Sequence, residues 1–479
     1  MENRLSYYNW FQNIISVFID MFFYVVPLVT LYVFTVSFEG YMRLIVYAIL
    51  LLVYYLVIYF FREKIKPLMS YVLEKISCLD IRTMFLIITL SAVLLKIVFT
   101  IFFNYDATVS GDIEIYNDIA EGIIKTGNIH SEEISHLYGV ALHFVLFKLI
   151  GIPLHVGLFI AIYIGITANF FSFCKIVGKE KSFLLTMLYL LMPSTSFFTF
   201  SPTHEVFVFM YVSVFLYFYN KMLAESDTKK TAVYLFVTVA STVLTCFVNP
   251  GGYILYVIMA LTALFSNIRI DKKILVISAL LVSILCSSLL SSFLEINEYK
   301  TSMNTYTILI HGVNPNSLGE QEDGYPLKQM RMYIYENTLD FSEDGFLDAA
   351  KHVLINHYLF LLKNPLVLFR LIIHKIYILW SGVHYPIELA NHYGAVSGLL
   401  YLFFLGINTL IYLFMVTVGL VYYRKKQDSV FVSNYKLELL GVAAMTLLCI
   451  VVNKYSVYAT MFIYLISFYR ADFKNEKQN

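Results

Sequence analysis

Charge is scarce in this chain: Asp, Glu, Lys and Arg together make up 14% of its 479 residues, where an ordinary soluble domain carries about 25%. That scarcity argues against a soluble enzyme. Cysteine is also sparse. The five present (Cys78, Cys174, Cys246, Cys286 and Cys449) have no ligand-like spacing, which argues against a disulfide framework or a zinc site and leaves buried thiols. Tandem repeats, low-complexity tracts and Gly/Ser linkers are missing, so no separate soluble domain is expected. The first apolar run, Ile14 to Phe38, is too long for a signal-peptide core and lacks a clear cleavage site. The net charge of +1 points to no particular partner, and no nucleic acid is expected.

What is abundant is apolar surface. Hydrophobic residues make up 59% of the chain and the mean hydropathy is +0.72. A bilayer core about 30 Å thick takes roughly 20 apolar residues per helix, and runs of that kind recur throughout. In lipid the backbone must satisfy itself, so these runs are helices; a closed barrel would require alternation that Leu44 to Phe61 lacks. The fold class is therefore all-α, a polytopic helical membrane protein of about thirteen spans. Candidate spans are 14–38, 41–61, 83–103, 137–151, 154–174, 182–200, 204–219, 231–248, 252–267, 273–292, 395–423, 437–452 and 455–470.

The placement of the few charges gives a topology. Basic clusters at Arg62/Lys64/Lys66, Lys221/Lys229/Lys230, Arg269/Lys272/Lys273, Arg424/Lys425/Lys426 and Arg470 to Lys477 mark cytoplasmic loops. Two polar segments have the opposite character. From Asn104 to His136 seven acids face Lys125 alone, and from Phe293 to Asp348 ten acids face Lys300, Lys328 and Arg331. Both read as outside and the N-terminus as cytoplasmic, in a cell membrane. The chain then divides into 1–82, two spans and a cytoplasmic loop; 83–292, a transmembrane core with a first outer loop at 104–138; 293–394, a large outer loop; and 395–479, the last spans and a tail. Phe346 to Trp380 has the periodicity of an amphipathic surface helix. One count does not close. Seven apparent spans separate the two outer loops, and Gly151-Ile152-Pro153 marks 137–174 as the place where one of them is a surface piece.

The most informative segment is Ser110-Gly111-Asp112-Ile113-Glu114-Ile115-Tyr116-Asn117-Asp118, directly after the run Thr83 to Phe103. A helix starting at Gly111 or Asp112 puts Asp112, Ile115, Tyr116, Ile119 and Ile123 on one face and Glu114, Asp118 and Glu121 on another. The second face reads as a solvated acidic stripe. Asp112 heads the apolar face, where it serves as a helix cap or as a catalytic carboxylate taking a proton from an acceptor hydroxyl. Glu114, with His130 and His136, is a candidate to assist or to hold a divalent ion, although the spacing matches no metal motif. Glu205, at the start of a span after Pro202-Thr203-His204, is a functional candidate as an ionisable group at the membrane edge; its alternative is a helix-start acid favoured by the dipole.

The order of these features resembles the GT-C membrane glycosyltransferases, in particular the protein O-mannosyltransferase and aminoarabinose-transferase branch. The likeness rests on a long span followed by an outer loop with Asp112, Tyr116 and Ala120 in Asp-x-x-x-Tyr-x-x-x-Ala. It rests further on His311-Gly312-Val313-Asn314-Pro315-Asn316-Ser317-Leu318-Gly319, on Asn364-Pro365 with Lys375 and Trp380, and on Lys454-Tyr455 opening the last span. It covers about residues 83–470. Three departures stand out: Ile113 separates the two loop acids, Lys454 stands where Arg is common, and two extra spans precede the matching region.

The resemblance implies a polyprenyl-phosphate sugar as donor and transfer to a glycan, lipid or protein acceptor outside the cytoplasm, with Asp112 as base and Glu114 beside it. It implies substrate contacts at Tyr116, His311, Asn314, Lys454 and Tyr455, to which the membrane-edge position adds Glu205. For the departing lipid phosphate the candidate cations are Arg331, Arg370, His374, Lys375 and Lys454. No cofactor is firmly indicated. The competing readings are a lipid-linked glycan polymerase or ligase, which would rely on loop arginines, and a transporter or flippase, for which Lys96 and the Gly151-Ile152-Pro153 break are the hints.

Overall fold

The computed structural model describes residues 2–33, 40–102, 111–127, 135–197, 204–266, 268–295, 343–380, 394–422, 429–448 and 456–471, with short pieces between 302 and 314. The regular elements among them are helical. Three helices open the chain: α1 (Glu2–Val33), α2 (Gly40–Ser77) and α3 (Ile81–Phe102). After the acidic segment come α4 (Gly111–Thr126), α5 (Ser135–Leu149), α6 (Leu154–Val177), α7 (Lys179–Leu191), α8 (Pro193–Phe197), α9 (His204–Ala224), α10 (Thr228–Val248), α11 (Ile254–Phe265) and α12 (Ile270–Phe293). The last described helices are α13 (Glu343–Lys363), α14 (Pro365–Trp380), α15 (Gly394–Val421), α16 (Val430–Leu448) and α17 (Ser456–Arg470).

By length and composition, seven helices are long and apolar enough to cross a membrane, in α1, α2, α3, α6, α9, α10 and α12. Shorter apolar helices lie at Tyr138–Leu149, Ile254–Phe265 and Gly406–Val421. The expected span 182–200 is broken at Met192-Pro193 into α7 and α8. At 13 residues, α7 is about 20 Å long at 1.5 Å per residue. The chain is a membrane-embedded helical bundle.

Its core is built chiefly from α1, α6, α7, α9, α11, α15, α16 and α17. Gly165 is the reason α6 and α9 can approach: a Cβ there would stand 3.3 Å from the Met210 Cα and 2.6 Å from the Phe209 ring. Small residues at such crossings substitute for the hydrophobic drive that lipid removes. Asn169 Nδ2 donates to Ser213 Oγ at 2.8 Å lower on the same pair of helices. Position 165 therefore meets 209, and 169 meets 213, so α6 and α9 run parallel.

Three lysines at one end of this bundle do more than face water. Lys179 Nζ donates to the carbonyls of Ser77 and Leu79 at the end of α2 (3.3 and 2.8 Å). Lys181 Nζ bonds the carbonyls of Phe468 and Ala471 at the end of α17 (3.2 and 2.9 Å). Lys272 Nζ bonds those of Met222 (2.9 Å) and Glu225 after α9. Each ammonium satisfies carbonyls that a helix end leaves open, and sits where the dipole is negative.

At the opposite end lies α5. Gly139 abuts the Phe247 carbonyl in the last turn of α10, and Phe147 abuts Gly157 in the first turn of α6. His143 meets Phe207 and Tyr211 in the first two turns of α9, and Tyr138 clusters with Phe247 and Leu294. All these partners belong to helix ends of one side. The run 137–174, whose parity did not close, thus contains one end-lying helix, α5, and one long helix, α6.

The expected single amphipathic helix Phe346–Trp380 is two. Pro365 lacks an N–H and Asn364 closes α13 by donating its side chain to the Phe360 carbonyl at 2.8 Å, so α14 starts anew. Leu371 and Lys375 of α14 are buried, and α14 packs on α1 and α16, so this half is docked rather than lying free at a surface. In addition, α16 begins seven residues before the expected span 437–452, carrying Asn434 and Lys436 into the bundle ahead of Glu438, all three buried.

Candidate functional site

The acidic segment folds as its start signal predicts: α4 begins at Gly111. Asp112 and Glu114 fall in its first turn, where open backbone N–H groups and the positive end of the dipole favour carboxylates. Their side chains, like His311, Arg331, Lys454, Tyr455, His130 and the His136 side chain, lie outside the described residues. The buried face of α4 is made by Tyr116, Ala120 and Ile123; Ile115, expected on it, is 45% exposed. The rotation follows from the packing partner. The Tyr116 ring stands edge-on to Phe144 of α5 with centroids 5.9 Å apart, and Tyr116 itself is 1% exposed.

The acidic stripe is not idle. Asp118 is exposed, but Glu121 bonds Lys148 of α5 at 3.1 Å and Lys125 at 3.2 Å. The Lys148 ammonium, followed by Lys125, holds this carboxyl below the usual carboxylate range. A hydrophobic seam and an ion pair therefore clip α4 to α5.

Beneath α5, the first turns of α9 supply two further polar groups. Glu205 is 1% exposed and its Oε1 lies 3.1 Å from His204 Nε2, a buried carboxylate at a helix N-terminus. His143 of α5, absent from the sequence reading, joins the two helices. Its Nδ1 lies 2.7 Å from the Gly139 carbonyl and its Nε2 lies 2.5 Å from the Tyr211 hydroxyl. A carbonyl only accepts, so Nδ1 carries the proton and Nε2 accepts from the tyrosine. Burial of the ring pushes its pKa below the ordinary 6.5, against a smaller upward pull from the Gly139 carbonyl. The signal for His143 was a lone polar residue inside an apolar run, one helical turn after Gly139.

The neutral imidazole has a measurable consequence. The unfolded chain takes up a proton near pH 6.5 while the folded ring resists it, so stability is complete above that pH and falls as pH drops towards the lower folded value. The unfolding midpoint in detergent is expected to fall between pH 7 and pH 5, and less steeply for His143→Phe, which keeps the stack on Phe207. Equal pH slopes in the two proteins would reject the assignment.

The remaining expected site residues sort into a second group. Asn314 is half-buried, and its neighbour Val313 packs on Leu361 of α13 and Leu371 of α14. Ile310 packs on Phe346, Ala349, Ala350 and Val353. The element at 310–314 and the Asn364-Pro365 break are thus brought together, with buried Lys375 one turn beyond Leu371; Arg370 is exposed and His374 half-buried.

A third polar cluster is at the lysine-rich end. Asn434 donates to Asn220 at 2.8 Å, Tyr435 to Ser172 at 2.8 Å, and Arg470 pairs with Asp20 of α1. Of this cluster the sequence reading named only Arg470, as the start of a basic tail; Asn434 and Tyr435 precede the apolar stretch by which the span 437–452 was placed. Among the described residues no group of three His, Cys, Asp or Glu side chains is set to hold a metal ion.

Fold and site define the class as a polytopic helical membrane protein. Comparison with known proteins goes no further: the chain matches no family model, no curated protein and no solved structure.

Proposed function

We propose that this chain is an integral membrane glycosyltransferase of the GT-C kind, moving a sugar from a polyprenyl-phosphate donor to an acceptor hydroxyl. The observation that carries the reading is the position of Asp112 and Glu114 in the first turn of α4. That helix is clipped onto α5 at the same end of the bundle as the buried Glu205. Asp112 takes the acceptor proton as the hydroxyl oxygen bonds the anomeric carbon. The bond from that carbon to the phosphate oxygen breaks, and the lipid phosphate keeps the electron pair. A cation from Arg331, Lys375 or Lys454 then receives the phosphate.

The sidedness follows the charge rule, with the lysine-rich end in the cytoplasm and α4 and α5 at the extracytoplasmic surface of a cell membrane. With α5 lying across helix ends, the segments between the two acidic stretches are α6, α7–α8, α9, α10, α11 and α12. That is an even number, which returns the chain to the same side.

The purified protein, given a panel of polyprenyl-phosphate sugars with hydroxyl acceptors, is expected to form product with at least one of them. Movement of a lipid-linked substrate across proteoliposomes with no glycosyl transfer would replace this reading by a transporter.

A further inference from the structure

The bundle interior holds a carboxyl, Glu438, far from α4 and α5. Along α16, Asn434, Glu438 and Gly441 form one stripe, spaced as neighbours on a helix face. Thr262 Oγ1 of α11 donates to Asn434 Oδ1 at 3.2 Å, and a Cβ on Gly441 would run into Ile254 of the same helix. The two helices are therefore antiparallel, and Glu438 faces α11 at the level of Ile258. Lys436, two residues away along α16, turns to the other side and meets Ser16 Oγ of α1 at 3.4 Å.

Glu438 is 1% exposed. Its Oε2 has no hydrogen-bond partner, and no ammonium or guanidinium pairs with it among the described residues. Two atoms on the neighbouring helix α9 share this condition, Asn220 Nδ2 and Tyr219 Oη, both on buried side chains. The other end of the Asn220 amide accepts from Asn434 at 2.8 Å, and Asn434 is one turn, about 6 Å, from Glu438 along α16. Asn220 also lines a water-sized cleft at the lysine-rich end, with Ser172, Lys175 and Phe431. The carboxyl thus stands one turn behind the floor of that opening.

An unpaired carboxylate inside a bundle costs several kcal/mol. A metal ion would have to gather several oxygens at once, and those of Asn220 and Asn434 already accept hydrogen bonds. A proton cancels the charge and needs no room among packed side chains. We propose that Glu438 is a proton-binding site of the bundle interior, exchanging with water at the lysine-rich end past Asn220. Hydronium gives its proton to the carboxylate, leaving water and a neutral acid. Ionisable side chains so placed in membrane proteins mark proton paths. The site stands whether or not the chain transfers sugar, because its readout is the proton and not a glycosylated product.

The test is infrared difference spectroscopy of the full-length protein in lipid nanodiscs at pH 7. The wild-type minus Glu438→Gln spectrum is expected to contain the carbonyl stretch of a neutral carboxylic acid and to lack the paired stretches of a carboxylate. Exchange into D2O is expected to shift that band, and Asn220→Leu to slow the shift several-fold. Glu438→Asp keeps an acid and moves the band, and it serves as the comparison should the glutamine variant fail to fold. Carboxylate stretches in place of the acid band overturn the proposal. A shift equally fast in Asn220→Leu overturns the route past Asn220.

Discussion

Asp112→Asn is expected to fold, to retain the donor lipid and to lose transfer by about 10²–10⁴-fold, the usual contribution of a positioned general base. The substitution separates the two roles open to this residue. Asp112 is the second residue of α4, so asparagine there forfeits only a charge–dipole contribution of about 0.3–1 kcal/mol, and α4 keeps its beginning at Gly111 and its seam on α5. The amide has no basic oxygen of comparable strength, so proton removal fails while the architecture stands. Glu114→Gln, two positions on along the same turn, is expected to cost less. Product formation by Asp112→Asn at the wild-type rate, measured with an active donor and acceptor, would leave the residue a first-turn acid on the helix dipole and remove it from the chemistry.

Gly139→Val is expected to have the largest effect of any single change distant from the carboxylates. A Cβ at this position would stand 2.7 Å from the Phe247 carbonyl oxygen and 3.1 Å from its carbon. Those atoms are backbone of α10 and cannot rotate away, so α5 must lift. Overpacking of this kind costs about 1–3 kcal/mol. The functional loss is expected to exceed the stability loss, because the Tyr116–Phe144 contact and the Glu121–Lys148 pair ride on α5 and orient α4. Gly122→Ala is the control. Nothing lies within 4 Å of its Cβ position, and alanine favours a helix by about 1 kcal/mol over glycine. A Gly139→Val protein that melts and turns over like wild type would show that α5 can move without consequence.

Which parts could be read in advance follows from what hydropathy measures. The apolar runs in α3, α6, α9, α10 and α12 are long, and their length alone placed them. The start of α4 was legible in Ser110-Gly111-Asp112 because capping is a local property. By contrast, α5 has the composition of a spanning helix: the odd span count confined the fault to 137–174, and the partners Phe247, Phe207 and Gly157 show that α5 is the piece lying across helix ends. The Asn364-Pro365 break was visible but was overridden by an apolar periodicity that continues on both sides of it. The early start of α16 was hidden because Asn434, Lys436 and Glu438 lower the local hydropathy, although tertiary partners such as Asn220 satisfy Asn434. In the candidate site, Asp112 and Glu205 stood out as ionisable groups at helix starts. His143 did not, since its role depends on Tyr211, far away in sequence.

The ammonium groups of Lys179, Lys181 and Lys272 fasten the ends of α2, α17 and α9. Under the proposed sidedness these lysines lie where positive charge instructs the insertion machinery which way to thread the chain, and they are also the rivets of the finished bundle. An engineer who neutralised them to invert the protein would loosen three seams at once, so orientation and assembly cannot be tuned separately here.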